Sequence, residues 1–515
     1  MANEDKKIKK AKSPKGFLAG IESVGNALPH PAMIFVIMIA ILAVISQVAA
    51  SKGVSVNYYD AKAEKNVELF AVSLLNGDGI RYMVNSVVGN FTSFAPLGTV
   101  LVAMLGVGVA EYAGFFDTGL KKLLSNVPSL LLTASVVFAG IISNIASDAG
   151  YVVVVPLGAM IFASAGKHPI AGLAAAFAGV SGGFSANLIF GPTDALLAGI
   201  TNEALRASKI GASVDVTGNW YFLIVSTFLL TLVGTAVTEK IVIPNLGEYK
   251  GSYVHDDRKI TELERKALTK SLIATLIFIA ILIFAMAPQN ALLKEVDKDG
   301  NLSIQHFLGN GLIFAILLLF LIPGIVYGKV VGKINNSKDL VLAMTKSMES
   351  MSGFLVLAFF AAQFVSYFAY TNLGTVLSVK GAEFLEAIGI TGIPLILFFI
   401  ILSAFINLFI GSASAKWAIM APIFVPMFFK MGLSPELTQM AYRIADSSTN
   451  IISPLMNYFA MIVIFMQKYD EDRGLGTLIS TMLPYSIAFL AFWSVLLIVW
   501  MIFGLPLGPG ASLMI

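Results

Sequence analysis

Polar residues recur at a constant separation of 263 positions inside stretches of this chain that are otherwise apolar. Asn144, Asn187 and Asp194 in the first half answer to Asn407, Asn450 and Asn457 in the second, and Ser185 answers to Ser448. A buried amide or carboxylate is costly in hydrocarbon unless it is paired or lines a wet cavity, so a costly pattern used twice points to a site. Paired, interrupted hydrophobic segments of this kind hold substrate and ions near the bilayer midplane in secondary transporters.

The surroundings are those of a membrane. The chain is 57% hydrophobic and 13% charged, with a mean hydropathy of +0.83. Apolar runs near 32–50, 94–116, 220–243, 271–288, 308–328, 350–370 and 478–505 are each roughly the ~20 residues that a spanning helix needs. They do not alternate apolar and polar residues as barrel strands do. The expected class is therefore an all-α polytopic membrane protein.

Six lysines and no apolar core occupy Met1 to Gly16, so residues 1–30 read as a cytoplasmic segment rather than a signal peptide. Basic residues at 250–270 and 329–346 place two further loops on the same side. The net charge of +3 is accounted for by these loops and gives no reason to expect nucleic acid. There are no cysteines, and His30, His168, His255 and His306 are scattered. Thiolate chemistry is excluded, and zinc or haem ligation lacks its spacing.

Residues 31–219 form the first repeat, with a re-entrant hairpin at 128–165 and a broken helix at 170–197. Residues 220–345 read as scaffold spans and cytoplasmic loops. The second repeat, 346–515, carries a hairpin at 386–432, a broken helix at 437–467 and a final span. The count is about nine spans plus two hairpins. Five crossings lie between the hairpins, and an odd number makes the repeats inverted, the arrangement of many alternating-access carriers. A fixed frame of this type suits a homodimer.

Asn144, Asn187, Asn407 and Asn450 sit beside Ser or Gly in the breaks. Their amides, with freed carbonyls, suit Na⁺ coordination, or they cap broken helix ends. Asp194 faces the neutral Asn457 in the repeat, which suits either a proton or charge compensation at one site, or a helix cap. Arg443 and Asp446, spaced i, i+3, are either a structural pair or a guanidinium fork for a substrate carboxylate with its holder. Trp417 either stacks on an aryl substrate or packs the hairpin base. Asp148 and Lys416 read as wet residues close to the hairpin tips, and Glu111 as a proton site or a buried partner.

With GPTDALL (191–197), GSASAKWAIMAP (411–422) and YRIADSSTNIISPLMNYF (442–459) in view, the sequence resembles the p-aminobenzoyl-glutamate transporter (AbgT) family over essentially its whole length. The resemblance implies a homodimeric elevator-like carrier of nine spans and two re-entrant hairpins in the bacterial inner membrane. It implies import of p-aminobenzoyl-glutamate or export of sulfonamide antimetabolites, driven by a proton or sodium gradient with no other cofactor. Matched motif by motif, the family's functional positions fall on Asp194, Asn407, Ser414, Trp417, Pro435, Arg443, Asp446 and Pro454.

A sodium-coupled importer of another dicarboxylate is the neighbouring expectation. An intramembrane enzyme would need a nucleophile with a base, and no histidine lies near the breaks. No G-x-x-x-x-G-K-[ST] sequence supports primary active transport. Duplicated breaks predict occluding sites rather than an open channel.

Overall fold

The computed structural model describes residues 31–60, 65–124, 128, 131–146, 150–249, 260–288, 290–296, 302–303, 307, 311–453, 456, 458–471 and 473–515. It is nearly all helix. From the N-terminal end, α1 (Pro31–Ser51) leads into an antiparallel pair, β1 (Ser55–Asp60) and β2 (Lys65–Phe70), then α2 (Gly77–Thr92) and α3 (Ala95–Ala113). Gly114, at φ +91°, turns the chain into α4 (Phe115–Leu124); such a left-handed corner is free of steric cost only for glycine.

The first interrupted segment follows. It consists of α5 (Leu132–Ile142), a tightened turn at Ser143–Ala146, a wide turn at Gly150–Val154, and α6 (Val155–Ser164). Next, α7 (Pro169–Phe177) widens at Ala178–Gly182, loses its regular ladder through 183–191, and resumes as α8 (Pro192–Ala207). Three spans come next, α9 (Trp220–Val237), which runs into α10 (Ile243–Leu246), α11 (Glu262–Met286) and α12 (Leu312–Val331), with a small pair β3 (Glu295–Val296) and β4 (Leu302–Ser303) between the last two.

The second half repeats the plan. After α13 (Ser337–Ser350) come α14 (Ser352–Tyr370) and α15 (Leu373–Ala387), with Asn372 in the left-handed region at their corner as Gly114 is earlier. A 119° bend separates α15 from α16 (Gly392–Asn407). The hairpin is completed by α17 (Ala413–Lys430). A helix α18 (Pro435–Asn450), a break, α19 (Phe459–Gln467) and the long α20 (Leu475–Ile502) end the chain. Among the described residues, seven helices are long and apolar enough to cross a bilayer, and they fall on the seven apolar runs of the sequence.

Packing divides the chain differently from a single scaffold block at 220–345. One large core joins the interrupted segments of both halves, and α9 belongs to it through Phe222, Leu230 and Val237. There, Trp493 donates its indole N–H to Ser226 Oγ at 2.7 Å, and Thr238 and Tyr485 share a hydroxyl contact at 2.6 Å. Of the rest, the span α12 and the shorter α13 pack on α3, and the span α11 packs on α12, around Val107, Ala110, Ala267, Ile316 and Tyr327. The hydroxyls along α9 need no outside water. Ser226, Thr227, Thr231, Thr235 and Thr238 each donate to the carbonyl four residues earlier.

Two glycine pairs set how closely the first hairpin meets the helix after it. A Cβ on Gly172 would overlap the carbonyl oxygen of Gly158 and the Phe162 ring, and one on Gly179 would overlap the carbonyl of Val137 and press on Gly140. Backbones touch here because no side chain stands between them.

The loop before α7 carries a pH-sensitive cap. His168 Nδ1 accepts from the Ile170 N–H at 3.2 Å, and burial, reinforced by the Arg473 charge, pulls the imidazole below its ordinary value. The neutral ring is thus the folded form. Its stabilising contribution is full above about pH 6.5, the unfolded value, and is lost as the pH falls toward the folded one. His168→Ala is expected to cost about 1 kcal/mol at pH 8, while His168→Asn keeps the cap and removes its part of the acid-side loss. Thermal unfolding of purified protein at pH 8 and pH 5.5 reads both; equal acid losses in wild type and the Asn variant would sink the assignment.

Candidate functional site

The two halves tie hairpin to broken helix in the same way. In the first, Asn144 at the hairpin tip donates its amide N–H to the carbonyl of Gly183 at 3.4 Å and to that of Ile141 at 3.0 Å. In the second, Asn407 donates to the carbonyl of Asp446 at 2.7 Å, with Thr449 Oγ1 and Asn450 Oδ1 also within 2.9 Å. Gly183 and Asp446 are themselves 263 positions apart, so the bond is repeated along with the sequence.

The charges do not pair as helical spacing suggests. Arg443 and Asp446 lie on one helix, yet each turns to a different partner. Arg443 Nη2 donates to Asp194 Oδ1 at 2.6 Å and to the carbonyl of Ser185 at 3.4 Å. Asp446 Oδ1 accepts from Lys416 Nζ at 2.6 Å. The expected i, i+3 pair is therefore replaced by two crossed ones, α18 to α8 and α18 to α17. All four side chains are at most 5% exposed, and ions so deeply buried persist only when paired.

Asp194 also serves as a cap. Its Oδ2 accepts from the N–H of Gly191 at 2.7 Å, closing the first turn of α8. One carboxylate thus holds both the restart of the broken helix and the guanidinium from the other half.

Lys416 corrects an expectation. It is fully buried, not wet, and its ammonium also donates to Asn407 Oδ1. Its position one residue before an intramembrane tryptophan is the signal that sequence reading passed over. Asp148 lies outside the described residues, as do Pro454 and Asn457. Glu111 sits on the exposed face of α3.

Trp417 packs rather than lining open space. Its ring stacks on Tyr442 at 4.5 Å between centroids, and its indole N–H donates to Thr201 Oγ1 at 2.9 Å. Behind it runs a buried chain that spacing did not disclose. Thr201 donates to Gln439 Oε1 at 2.6 Å, Gln439 to Asn219 Oδ1 at 2.9 Å, and Asn219 to the carbonyl of Glu436 at 2.9 Å. Pro435 opens α18 at its far end, about 22 Å of helix away from Asn450. Asn187 forms a local turn, accepting from the Leu188 N–H at 3.0 Å.

Two helix beginnings converge on a cavity of about 220 Å³. Ser412, Ala413 and Ser414 at the start of α17 line one wall, and Thr193 at the start of α8 lines another. Asn450 and a stacked pair, Tyr151 and Tyr458, 4.5 Å apart, enclose it. Helix N-termini present N–H groups and partial positive charge, which suits an anionic group beside an aromatic one. Asn407, Arg443, Asp446 and Trp417 do not line it, and of the expected positions Ser414 and Asn450 do.

Apolar spans around a duplicated, charge-compensated polar break with a small central cavity define a membrane transporter. Residues 16–515 match the model of the AbgT transporter family. The chain is 38% identical over 499 residues to the p-aminobenzoyl-glutamate transport protein of Escherichia coli K12, covering 97% of each. Among solved structures it resembles Neisseria gonorrhoeae MtrF, reported within a class of antimetabolite efflux pumps, at a TM-score of 0.89 and 46% identity. That match covers 96% of this chain and all of the other. The Alcanivorax borkumensis YdaH transporter matches at a TM-score of 0.85 and 44% identity over 93% of this chain and all of that one. The chain belongs to the AbgT family.

Proposed function

We propose that this protein is a bacterial inner-membrane secondary carrier for p-aminobenzoyl-glutamate-like folate catabolites or sulfonamide antimetabolites, coupled to a proton or sodium gradient by alternating access. The observation that carries the reading is the convergence of two helix N-termini and a tyrosine stack on one cavity. Aminobenzoyl rings suit the stack, and glutamyl carboxylates suit the N–H groups. Arg443, already engaged with Asp194, acts as a brace for the site rather than as the carboxylate receptor.

The cavity is smaller than the ~300 Å³ at which drug-sized pockets begin, so a folate catabolite enters only as the tip at 411–414 moves. The carrier works as a homodimer with nine spans, two inverted hairpins and a cytoplasmic N-terminus. Asn144 and Asn187 of the first break, with Asp194, Asn450 and Asn457, are the candidates for coupling-ion contact. Asn144 Oδ1 supports this: it is buried and has no hydrogen-bond partner among the described residues. A cation or water in hydrogen-bonding reach would relieve it.

Flux of labelled p-aminobenzoyl-glutamate and of a sulfonamide in proteoliposomes, with pH and sodium gradients imposed separately, tests the reading. Flux should follow one gradient, and Ser414→Val should raise KM about tenfold for p-aminobenzoyl-glutamate, equivalent to one lost charged hydrogen bond of about 1.4 kcal/mol. No flux of either compound under any gradient would sink the substrate assignment. Competition by unrelated dicarboxylates that outdo both compounds would favour a dicarboxylate importer.

A further inference from the structure

A second and larger cavity lies beside the tip of the first hairpin. It has a volume of about 350 Å³ and is walled by Phe116 and Leu120 of α4, Ile142 and Ile145 of the hairpin tip, and Leu268 and Leu272 of α11. Among the described lining residues only Ser143 and Lys122 are polar, and Ser143 already donates its hydroxyl to the carbonyl of Gly140 at 2.6 Å. Water needs two or more polar partners to settle in such a place, and a void left empty forfeits contact for every wall atom. The space exists because one side chain is missing. Gly119 lines it from the middle of α4, and within 4 Å a Cβ there would meet only Leu268 Cδ1, at 4.0 Å. Glycine weakens a helix interior, and Gly119 has no positive φ that would call for it.

The sequence of α11 indicates what fills the space. Arg265, Leu268 and Leu272 are spaced i, i+3 and i+7, which puts them on one helix face. The two leucines lie about 9 Å and about 15 Å along the helix from Glu262, which is one leaflet's depth in a ~30 Å hydrocarbon core. Leu268 is buried, Leu272 is 49% exposed, and Ile273, Leu276 and Ile277 beyond it are more exposed still. The cavity thus opens toward lipid. Two cations border it, the exposed Lys122 in the last turn of α4 and Arg265, whose 3.8 Å contact with Glu262 is a loose surface pair.

We propose that this cavity takes one acyl chain of an anionic phospholipid, with the headgroup phosphate held by Lys122 and Arg265. The apolar chain matches the walls and the negative head matches the rim. A chain seated there fills the gap between the α11 span and the hairpin tip that carries Asn144, so the lipid props the tip against the frame. The proposal requires that the helices lie in a bilayer and does not depend on which solute is carried.

Thermal unfolding of the full-length protein reads the site without a transport assay, after lipid is stripped in dodecylmaltoside and dioleoylphosphatidylglycerol or dioleoylphosphatidylcholine is added back. Phosphatidylglycerol should raise Tm and saturate at one lipid per protomer, and phosphatidylcholine should need about tenfold more. Gly119→Leu, which places the missing side chain in the space, should melt above wild type without lipid and respond to neither lipid. Gly119→Ala leaves most of the space and should respond as wild type does. The double variant Lys122→Gln/Arg265→Gln should keep its lipid-free Tm and bring the two half-saturation points within about twofold.

A phosphatidylglycerol response as large in Gly119→Leu as in wild type overturns the proposal, as do equal half-saturation points for the two lipids in wild type. Inorganic phosphate that raises Tm as far as phosphatidylglycerol does would confine binding to the cations and overturn the acyl chain. A change of oligomer mass in Gly119→Leu with the lipid response intact would assign the cavity to a second copy of the chain and overturn it too. If Gly119→Leu does not fold, native mass spectrometry decides: wild type should retain phosphatidylglycerol that the double variant loses, and equal retention overturns the proposal.

Discussion

Asp194→Ala is expected to reduce flux to the background of empty liposomes and to lower stability by about 3–5 kcal/mol, the range for stripping one partner from a buried ion pair. Two losses fall together. Arg443 is left charged and buried with only the Ser185 carbonyl, and the Gly191 N–H loses its acceptor at the start of α8. Replacing both partners, as Asp194→Leu with Arg443→Met, should recover most of the stability because no ion remains stranded, while flux stays absent. Denaturation of the purified single and double variants beside proteoliposome flux separates bracing from coupling. Full flux in Asp194→Ala would remove this carboxylate from the mechanism, and a double variant as unstable as the single would show that the ion pair is not what holds the two halves.

Trp417→Ala should be the most damaging single truncation in the large core. The ring is wholly buried, stacks on Tyr442 and donates to Thr201, and a Trp→Ala change in such a place costs about 3–5 kcal/mol. Trp417→Phe keeps the stack and gives up the N–H donor, so about 1 kcal/mol and a modest fall in flux are expected. Thr201→Val should cost more, since it breaks the same bond and also takes away the donor to Gln439 Oε1. Melting curves and flux for the three variants test this. A folded Trp417→Ala protein whose only defect is a raised KM would mean that the indole touches substrate directly.

Much of the architecture is written in the sequence because hydrocarbon tolerates so few arrangements. Seven apolar runs become, among the described residues, seven helices long and apolar enough to cross a bilayer, and the offset of 263 reappears as one repeated hydrogen bond from Asn144 and from Asn407. What stayed hidden depends on partners far apart in the chain. Arg443 and Asp446 look like a pair because three residues bring side chains to one helix face, yet Arg443 finds Asp194 from the other half and Asp446 finds Lys416. Lys416 read as wet because a hairpin tip is the natural place for an ammonium to meet water; the ion pair is what permits its burial. The chain Trp417, Thr201, Gln439 and Asn219 has no periodic signature, since each member lies on a different element. Residues 51–92 lie between the first two apolar runs, and they hold a strand pair and the helix α2, which no apolar run announced.

The glycine contacts make the two hairpins mechanically unequal. Where Gly158 meets Gly172 and Gly140 meets Gly179, peptide lies on peptide, and parting them would forfeit close backbone contact that no side chain could restore. On the alternating-access reading that junction is a weld, and the first hairpin and α7 are expected to travel as one stiff piece. The second hairpin instead packs through rings, Phe399 against Phe424 and Phe428 between its own arms, and Trp417 against Tyr442 where it meets α18. Ring contacts can slide and re-stack, so on the alternating-access reading proposed above this seam is the expected bearing and the 411–414 tip the expected gate.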